Sequence, residues 1–241
     1  MKFKTVCEEI EAFKRRDPAA RSAFEVIVFY QGFHALMIYR LSNYLWLREW
    51  KFLGRLISQL GRLITGIEIH PGAEIGKRLV IDHGMGVVIG ETSSIGNDVT
   101  LYHDVTLGGI SPAVQSEEQV GLKRHPTLED GVIVGSGAQI LGPIRIGANA
   151  RVGSNAVVSK DVASGVTAVG VPARPVMPKN KGSNKDFHAY AALPEGQSDP
   201  LSISIDNLRE QVRILVNRVD ELEKTASVED ESAPSKIHKN R

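Results

Sequence analysis

The stretch that decides the fold is IEIHPGAEIGKRLVIDHGMGVVIGETSSIG, residues 67–96. An aliphatic residue returns at every sixth position, glycine often follows it, and the period resumes with a shift of two residues after Val87. The in-phase aliphatic positions are Ile69, Ile75, Ile81, Val87, Ile89, Ile95, Leu101, Leu107, Leu128, Val134, Ile140, Ile146, Val152 and Val158. An α-helix cannot keep a six-residue period on one face, whereas a parallel β-helix of hexapeptide repeats requires it. The sequence therefore predicts a mainly β fold, with a β-helix domain over residues 66–176.

The region before the repeat, residues 1–65, has the apolar spacing of helices and is predicted to form an α-helical domain. Within it, Asp17 followed by Pro18 predicts a helix N-cap and the first helical position, with a substrate contact as the alternative for Asp17. Inside the repeat, residues 109–126 are polar and lack the period of six. We expect this segment to form a loop extruded from one coil, and long loops of this kind often carry function.

The chain changes character twice after the repeat. Residues 177–200 are rich in Pro, Gly, Lys and Asn, which is typical of a linker. Apolar residues in the segment 201–224 then alternate at spacings of four and three, which predicts a self-associating coiled-coil helix. A surface helix docked on its own subunit is the alternative interpretation. Residues 225–241 are polar and are predicted to be disordered.

Composition excludes several classes of protein. The 241 residues include 29 basic and 28 acidic side chains, for a net charge of +1, so nothing indicates a nucleic acid or an anionic membrane as partner. The most apolar stretch is interrupted by polar residues and is too short for a membrane span. The single cysteine, Cys7, allows no intrachain disulfide, and no secretory leader is visible, so we expect a cytoplasmic protein.

Four histidines fall in the repeat or in its loop, although a hexapeptide coil requires none of them. They are His70, His83, His103 and His125. Imidazole exchanges a proton near neutral pH, so these side chains are candidates for acid–base chemistry, although a single histidine is more often structural.

Asp82 directly precedes His83, but adjacent side chains on an extended strand point to opposite faces. We therefore expect Asp82 not to pair with His83, and Glu68 is the better candidate for that role. Arg124, next to His125, offers a bidentate cation for a substrate carboxylate.

Several runs of sequence together resemble the serine acetyltransferase family. They are RDPAARSAF, GIEIHPGAEIGKRLVIDHGMGVVIGET, VTLGG, KRHPTLEDGVIVGSGAQILG and GVPAR, and the resemblance covers residues 15–176. It implies a left-handed β-helix, a handedness that the general rule for parallel strands does not predict. It also implies a homotrimer with active sites between subunits. The implied reaction transfers acetyl from acetyl-CoA to the hydroxyl of L-serine and gives O-acetylserine, a precursor of cysteine.

The resemblance further implies roles for individual residues. His83 corresponds to the general base and Glu68 to the acid that orients it. Asp17 and Asp82 correspond to contacts with the substrate serine.

The remaining implied contacts come from the loop and the later coils. Arg124 and His125 correspond to the residues that hold the serine carboxylate and line its pocket. Positions implied to bind acetyl-CoA are Gly109, Ser136, Ala138 and Ser154, with Lys160 and Arg174 facing the CoA phosphates. No metal is implied.

Partners and regulation follow from the same resemblance. We expect L-cysteine to compete for the serine pocket as a feedback inhibitor. Only sixteen residues precede Asp17, so a trimer is expected rather than the hexamer of longer relatives. Relatives that bind O-acetylserine sulfhydrylase usually end in isoleucine, whereas this chain ends KIHKNR, so that complex is not expected.

Two alternative functions stay open at this point. One is a hexapeptide acetyltransferase that acts on a sugar or another hydroxyl. The other is a metal hydratase of the γ-carbonic-anhydrase type, in which histidines between subunits hold zinc.

Overall fold

A computed structural model describes residues 3–110, 116–176, 209–216 and 218. The chain divides into two compact units, Met1–Pro194 and Glu195–Arg241. In the second unit, residues 209–216 are helical. Most of the predicted coiled coil, the predicted linker 177–200 and the predicted disordered tail lie outside the described residues.

The first unit begins with four helices, α1 (Phe3–Arg16), α2 (Ala23–Phe29), α3 (Gln31–Trp46) and α4 (Lys51–Thr65). The predicted N-cap at Asp17 is wrong. Helix α1 has already reached Arg16, and the Asp17 N–H still bonds the Phe13 carbonyl at 2.9 Å, so Asp17 follows a helix instead of starting one. The cap of α2 is Ser22, whose Oγ accepts the Glu25 N–H at 3.1 Å.

Fifteen short strands follow the helices. They are β1 (Glu68–Ile69), β2 (Glu74–Ile75), β3 (Val80–Ile81), β4 (Val88–Ile89), β5 (Ser94–Ile95), β6 (Thr100–Leu101), β7 (Thr106–Gly108), β8 (Thr127–Leu128), β9 (Ile133–Val134), β10 (Gln139–Leu141), β11 (Arg145–Ile146), β12 (Arg151–Val152), β13 (Val157–Val158), β14 (Thr167–Val169) and β15 (Arg174–Val176). A short 3₁₀-helix, Ser116–Gln119, lies between β7 and β8.

From β1 to β13 every third strand joins the same sheet, which makes the predicted triangular coil, and β14 and β15 then extend the third sheet. The first sheet has the order β1-β4-β7-β10-β13, the second β2-β5-β8-β11, and the third β3-β6-β9-β12-β14-β15. All pairings are parallel except that of β15 with β14. The aliphatic residues that set the period of six stack in register, for example Ile69 on Ile89 and Leu107 on Ile140, and they form one continuous core.

Helices α3 and α4 cover the open edge of the first coil. Each coil donates its backbone N–H groups to the carbonyl groups of the next coil. The carbonyl groups of the first coil therefore have no preceding coil to supply a donor. Side chains from the helices supply the missing donors: Tyr39 Oη to Ala73 O at 2.6 Å, Asn43 Nδ2 to Pro71 O at 2.8 Å, Ser58 Oγ to Ile69 O at 2.7 Å, and the Arg40 guanidinium to Ile75 O and Gly76 O. The helical region therefore precedes the β-helix in the chain and also covers the exposed end of its first coil.

Candidate active site

His83 lies on an enlarged corner of the first coil. Six positions separate Ile69 from Ile75 and Ile75 from Ile81, but eight separate Ile81 from Ile89. The two additional residues account for the shift in the hexapeptide period, and they belong to the turn between β3 and β4 that carries His83. His83 itself has a left-handed backbone, with φ at 59°, and its side chain is 67% exposed. The enlarged turn therefore presents an imidazole to the outside of the coil.

Asp82 and His83 do not alternate as on a strand, because β3 ends at Ile81 and both residues lie in the turn. Asp82 Oδ1 is 3.9 Å from His83 Nε2. Glu68 forms its ion pair with Arg62 of α4, at 3.0 Å, and no ion pair within 4 Å joins it to His83 in the described part of the chain. Asp82 is therefore the carboxylate next to His83 in a single chain, and pairing of Glu68 with His83 stays a prediction.

Asp82 shares its environment with Asp17, which the α1–α2 turn brings to the same corner. The Tyr30 hydroxyl donates to Asp17 Oδ2 at 2.5 Å and so fixes that carboxylate. Burial raises the pKa of Asp82; the Asp17 charge adds to the increase, and His83 opposes it. Two carboxylates and an imidazole thus meet on one corner, an arrangement that can hold an ammonium group beside a proton acceptor.

Polar side chains repeat at this corner down the β-helix. Strand register places His83, His103, Ser136 and Ser154 at corresponding positions of successive coils. The ring of His103 stands edge-on to that of His83, with centroids 6.1 Å apart, and Ser136 Oγ donates to Ser154 Oγ at 3.3 Å. His103 had no predicted role of its own, although its spacing of twenty residues from His83, one enlarged coil, could have shown that the two rings stack.

Arg124 and His125 lie on a different corner, between the first and second sheets. Arg124 Nη2 contacts Glu91 Oε2 at 2.5 Å, and His125 Nδ1 lies 2.9 Å from Thr92 Oγ1. One side of the triangular coil, roughly 15–20 Å of chain, separates this corner from His83. A single chain therefore does not bring together all the residues predicted to contact serine.

His70 lies at this second corner, above the Glu91 turn. Its Nδ1 accepts the Gly72 N–H at 3.0 Å, and its ring stands edge-on to Trp46. Burial, with nearby Arg55, lowers the pKa of His70 to about 4. A neutral ring engaged in this way has a structural role.

The positions predicted to bind acetyl-CoA are distributed over the outside of the coil, with one exception. Ala138 is fully buried, so its side chain belongs to the core and cannot contact a ligand. Its carbonyl is also used within the coil, where it accepts the Thr106 N–H. Ser136 and Ser154 are partly exposed on the His83 corner, whereas Gly109, Lys160 and Arg174 are exposed. Among the described residues, no group of three or more His, Cys, Asp or Glu is arranged to hold a metal ion.

Comparison with known proteins gives consistent matches along the chain. Residues 2–37 match the family model for the serine acetyltransferase N-terminal region, and residues 125–160 match that for the bacterial transferase hexapeptide (six repeats). The serine acetyltransferase of Bacillus subtilis (strain 168) is 45% identical over 212 residues, which cover 88% of this chain and 92% of that protein.

Solved structures agree with the sequence matches. The serine acetyltransferase of Neisseria gonorrhoeae in complex with serine has a TM-score of 0.67 and 39% identity, over 72% of this chain and 68% of that one. A serine acetyltransferase in complex with CoA has a TM-score of 0.66 and 39% identity, with the same coverage of both chains. No helix in the described ranges is both long and apolar enough to cross a membrane.

The match to the transferase hexapeptide model, together with the relatives named above, identifies the chain as a hexapeptide acyltransferase. Within that class, the chain belongs to the serine acetyltransferase family, and its coils have the left-handed sense of that family's fold.

Proposed function

We propose that this protein is a serine O-acetyltransferase, which transfers acetyl from acetyl-CoA to the hydroxyl of L-serine and releases O-acetyl-L-serine and CoA. The observation that carries the proposal is the meeting of Asp17, Asp82 and His83 on one corner, because two carboxylates beside a base suit an amino-acid acceptor. A sugar acceptor has no ammonium group to occupy that site. O-Acetylserine is a precursor of cysteine, and we propose the cytoplasm as the site of the reaction.

In the proposed reaction, His83 is the general base. A serine hydroxyl is a weak nucleophile while protonated, so His83 removes its proton as the oxygen attacks the thioester carbonyl. Asp82 lies close enough to stabilise the imidazolium that forms, and Asp82 with Asp17 holds the substrate ammonium. Gly109 lies beside Arg124 on the other corner, so backbone N–H groups near Gly109 of a neighbouring copy stabilise the oxyanion, and the imidazolium returns its proton to the CoA thiolate as the C–S bond breaks.

The carboxylate of serine is assigned to Arg124 and His125 of a neighbouring copy. The two corners of one chain are too far apart to hold the same amino acid, so a homotrimer that places one corner against the other accounts for both sets of residues. Large apolar residues on one face of α4 support self-association, since they are exposed in a single chain. They are Phe52, Leu53, Leu56, Leu60, Leu63 and Ile64.

A thiol-release assay with acetyl-CoA tests the proposed function directly. We expect CoA release with L-serine and much less with homoserine or a sugar. His83→Ala should lower kcat by at least about 100-fold, because the general base is removed. His34→Ala, on α3, is the matched control and should keep its activity.

Two outcomes of this assay would contradict the proposal: faster turnover with a sugar than with serine, or near-normal turnover of a folded His83→Ala variant. Adding L-cysteine to the same assay tests the proposed feedback inhibition. We expect inhibition that excess serine relieves, because cysteine offers the same ammonium and carboxylate groups.

A further inference from the structure

The loop that interrupts the β-helix returns to the coil at a single turn, Glu91–Thr92. Lys123 Nζ donates to the Thr92 carbonyl at 2.6 Å, and the Glu91 carboxylate holds Arg124. The proposed reaction gives Glu91 and Thr92 no role, although they contact three consecutive residues of the loop.

Thr92 is the centre of this network. Its Oγ1 accepts the backbone N–H groups of Arg124 at 3.0 Å and His125 at 3.1 Å. The same Oγ1 lies 2.9 Å from His125 Nδ1, and the Thr92 backbone N–H donates to that nitrogen at 3.2 Å. One threonine therefore fixes the backbone of both residues assigned to the serine carboxylate, and also the side chain of His125.

The contact from the Thr92 N–H determines the tautomer of His125. A backbone N–H can only donate, so Nδ1 of His125 is the acceptor and the proton of the neutral ring is on Nε2. Burial lowers the pKa of His125, and the adjacent Arg124 lowers it further, so the ring stays neutral near pH 7. His125 consequently presents an Nε2–H donor, which is the group that a carboxylate oxygen needs.

Two neighbours complete the arrangement. A Cβ at Gly90 would lie 2.1 Å from Cδ2 and Nε2 of His125, so the ring can occupy this position only because residue 90 is glycine. Arg124 Nη2 donates a hydrogen bond to the Glu91 carboxylate. Arg124 Nε is buried and has no hydrogen-bond partner among the described residues. Glu91 thus orients the guanidinium without using all of its donors.

We infer that Thr92, assisted by Glu91, is the positioning residue for the carboxylate half of the active site: it locks His125 as the Nε2–H donor and sets Arg124, and so determines affinity for the amino-acid substrate. This inference rests on the proposed function, because it assumes that Arg124 and His125 bind the carboxylate of serine. Thr92 acts through these two residues and does not itself touch the substrate.

The test compares Thr92→Val, which keeps the shape but removes the hydroxyl, with Thr92→Ser, which keeps the hydroxyl. In the full-length protein, Thr92→Val should raise KM for serine by about tenfold or more, the equivalent of one lost hydrogen bond, and change kcat and KM for acetyl-CoA by less than about threefold. Thr92→Ser should have a KM for serine near the wild-type value. Thr167→Val, on β14 in another sheet, is the matched control and should match the wild type.

A second measurement reads the tautomer without using activity. In ¹⁵N NMR spectra of the wild type, His125 should show a protonated Nε2 and an unprotonated Nδ1. In Thr92→Val the backbone N–H still donates to Nδ1, so this preference should weaken, through loss of the hydroxyl contact, without reversing. The inference is overturned if Thr92→Val keeps the wild-type serine KM, if it lowers kcat and leaves serine KM unchanged, or if the wild-type ring carries its proton on Nδ1. A wild type with no serine-dependent turnover would instead refute the proposed function, and the NMR result would still decide the tautomer.

Discussion

At the scale of single residues, backbone conformation at the corners decides what each side chain can do. His83, Arg78, Asp98, Asp104, Asn149 and Asn155 all have positive φ, a region that is uncommon outside glycine and in which aspartate, asparagine and histidine are enriched. His83 differs from the other five in its place on the enlarged corner. The sequence motif could identify His83 as an unusual histidine, but the strand rule does not apply to Asp82, because it assumes an extended backbone where the chain turns.

Asp98 offers a test of corner electrostatics that is independent of activity. Its carboxylate accepts from Arg78 Nε at 2.8 Å and from Arg16 Nη2 at 2.8 Å, and the hydrogen bond from Arg78 is the main reason that the pKa of Asp98 is lowered. The folded-state pKa is below the unfolded value, so these contacts stabilise the protein above about pH 4, and the contribution is lost as pH falls through the folded-state pKa.

We therefore expect Asp98→Asn, which tolerates positive φ, to lower the thermal midpoint at pH 7 by an amount equivalent to about 1 kcal/mol, a modest value because the pair is partly exposed. The difference from wild type should shrink toward pH 3. Glu11→Gln, which removes an exposed pair with Lys14, is the control and should have little effect at either pH. An equal deficit for Asp98→Asn at both pH values would contradict the electrostatic explanation. All midpoints need one fixed protein concentration.

At the scale of elements, periodicity predicted most of the fold, because the coil interior admits only small and aliphatic side chains every six residues. The two-residue shift of the period after Val87 indicated the enlarged corner. The absence of the period from residues 109–126 predicted a loop extruded from the coil. Packing of the helices on the coil was beyond such reasoning, since it depends on close approaches between distant segments. Gly32 of α3 is the clearest case: a Cβ there would lie 2.0 Å from the Ile81 carbonyl oxygen.

Gly32→Ala should consequently be strongly destabilising even though alanine favours helices. The added methyl would force α3 away from β3. We expect the free energy of unfolding to fall by about 3 kcal/mol, which would appear as a fall of several degrees in the thermal midpoint. Gln31→Ala, at the exposed preceding residue, should leave the midpoint nearly unchanged. A Gly32→Ala protein as stable as the wild type would show that α3 does not pack on β3 this closely.

At the scale of the whole molecule, the proposed division of the site between two corners predicts that activity is a property of assembled copies. The family resemblance implied active sites between subunits, but the spacing of the repeat alone did not assign the individual residues to corners, because that assignment requires the register of the coils. His83→Ala and Arg124→Ala variants each spoil every site when produced alone. When they are produced together, random assembly of a trimer should leave about a quarter of the sites with both residues intact.

Co-production of the two variants should therefore restore about a quarter of the wild-type activity at subsaturating serine. A pair such as His83→Ala with Asp82→Asn, whose residues share one corner, is the control and should not complement. If His83→Ala with Arg124→Ala stays at the level of the single variants, the two corners do not form a common site.

The donors that α3 and α4 offer to the first coil have one more consequence. A parallel coil with bare carbonyl groups at its first turn is a template on which another chain could continue the same stacking, as in a growing fibril. Tyr39, Asn43 and Arg40 occupy those carbonyls, and at the other end β15 reverses direction on β14. The protein thus limits its own stacking, because the helical region covers the end of the coil on which another copy could otherwise continue head to tail.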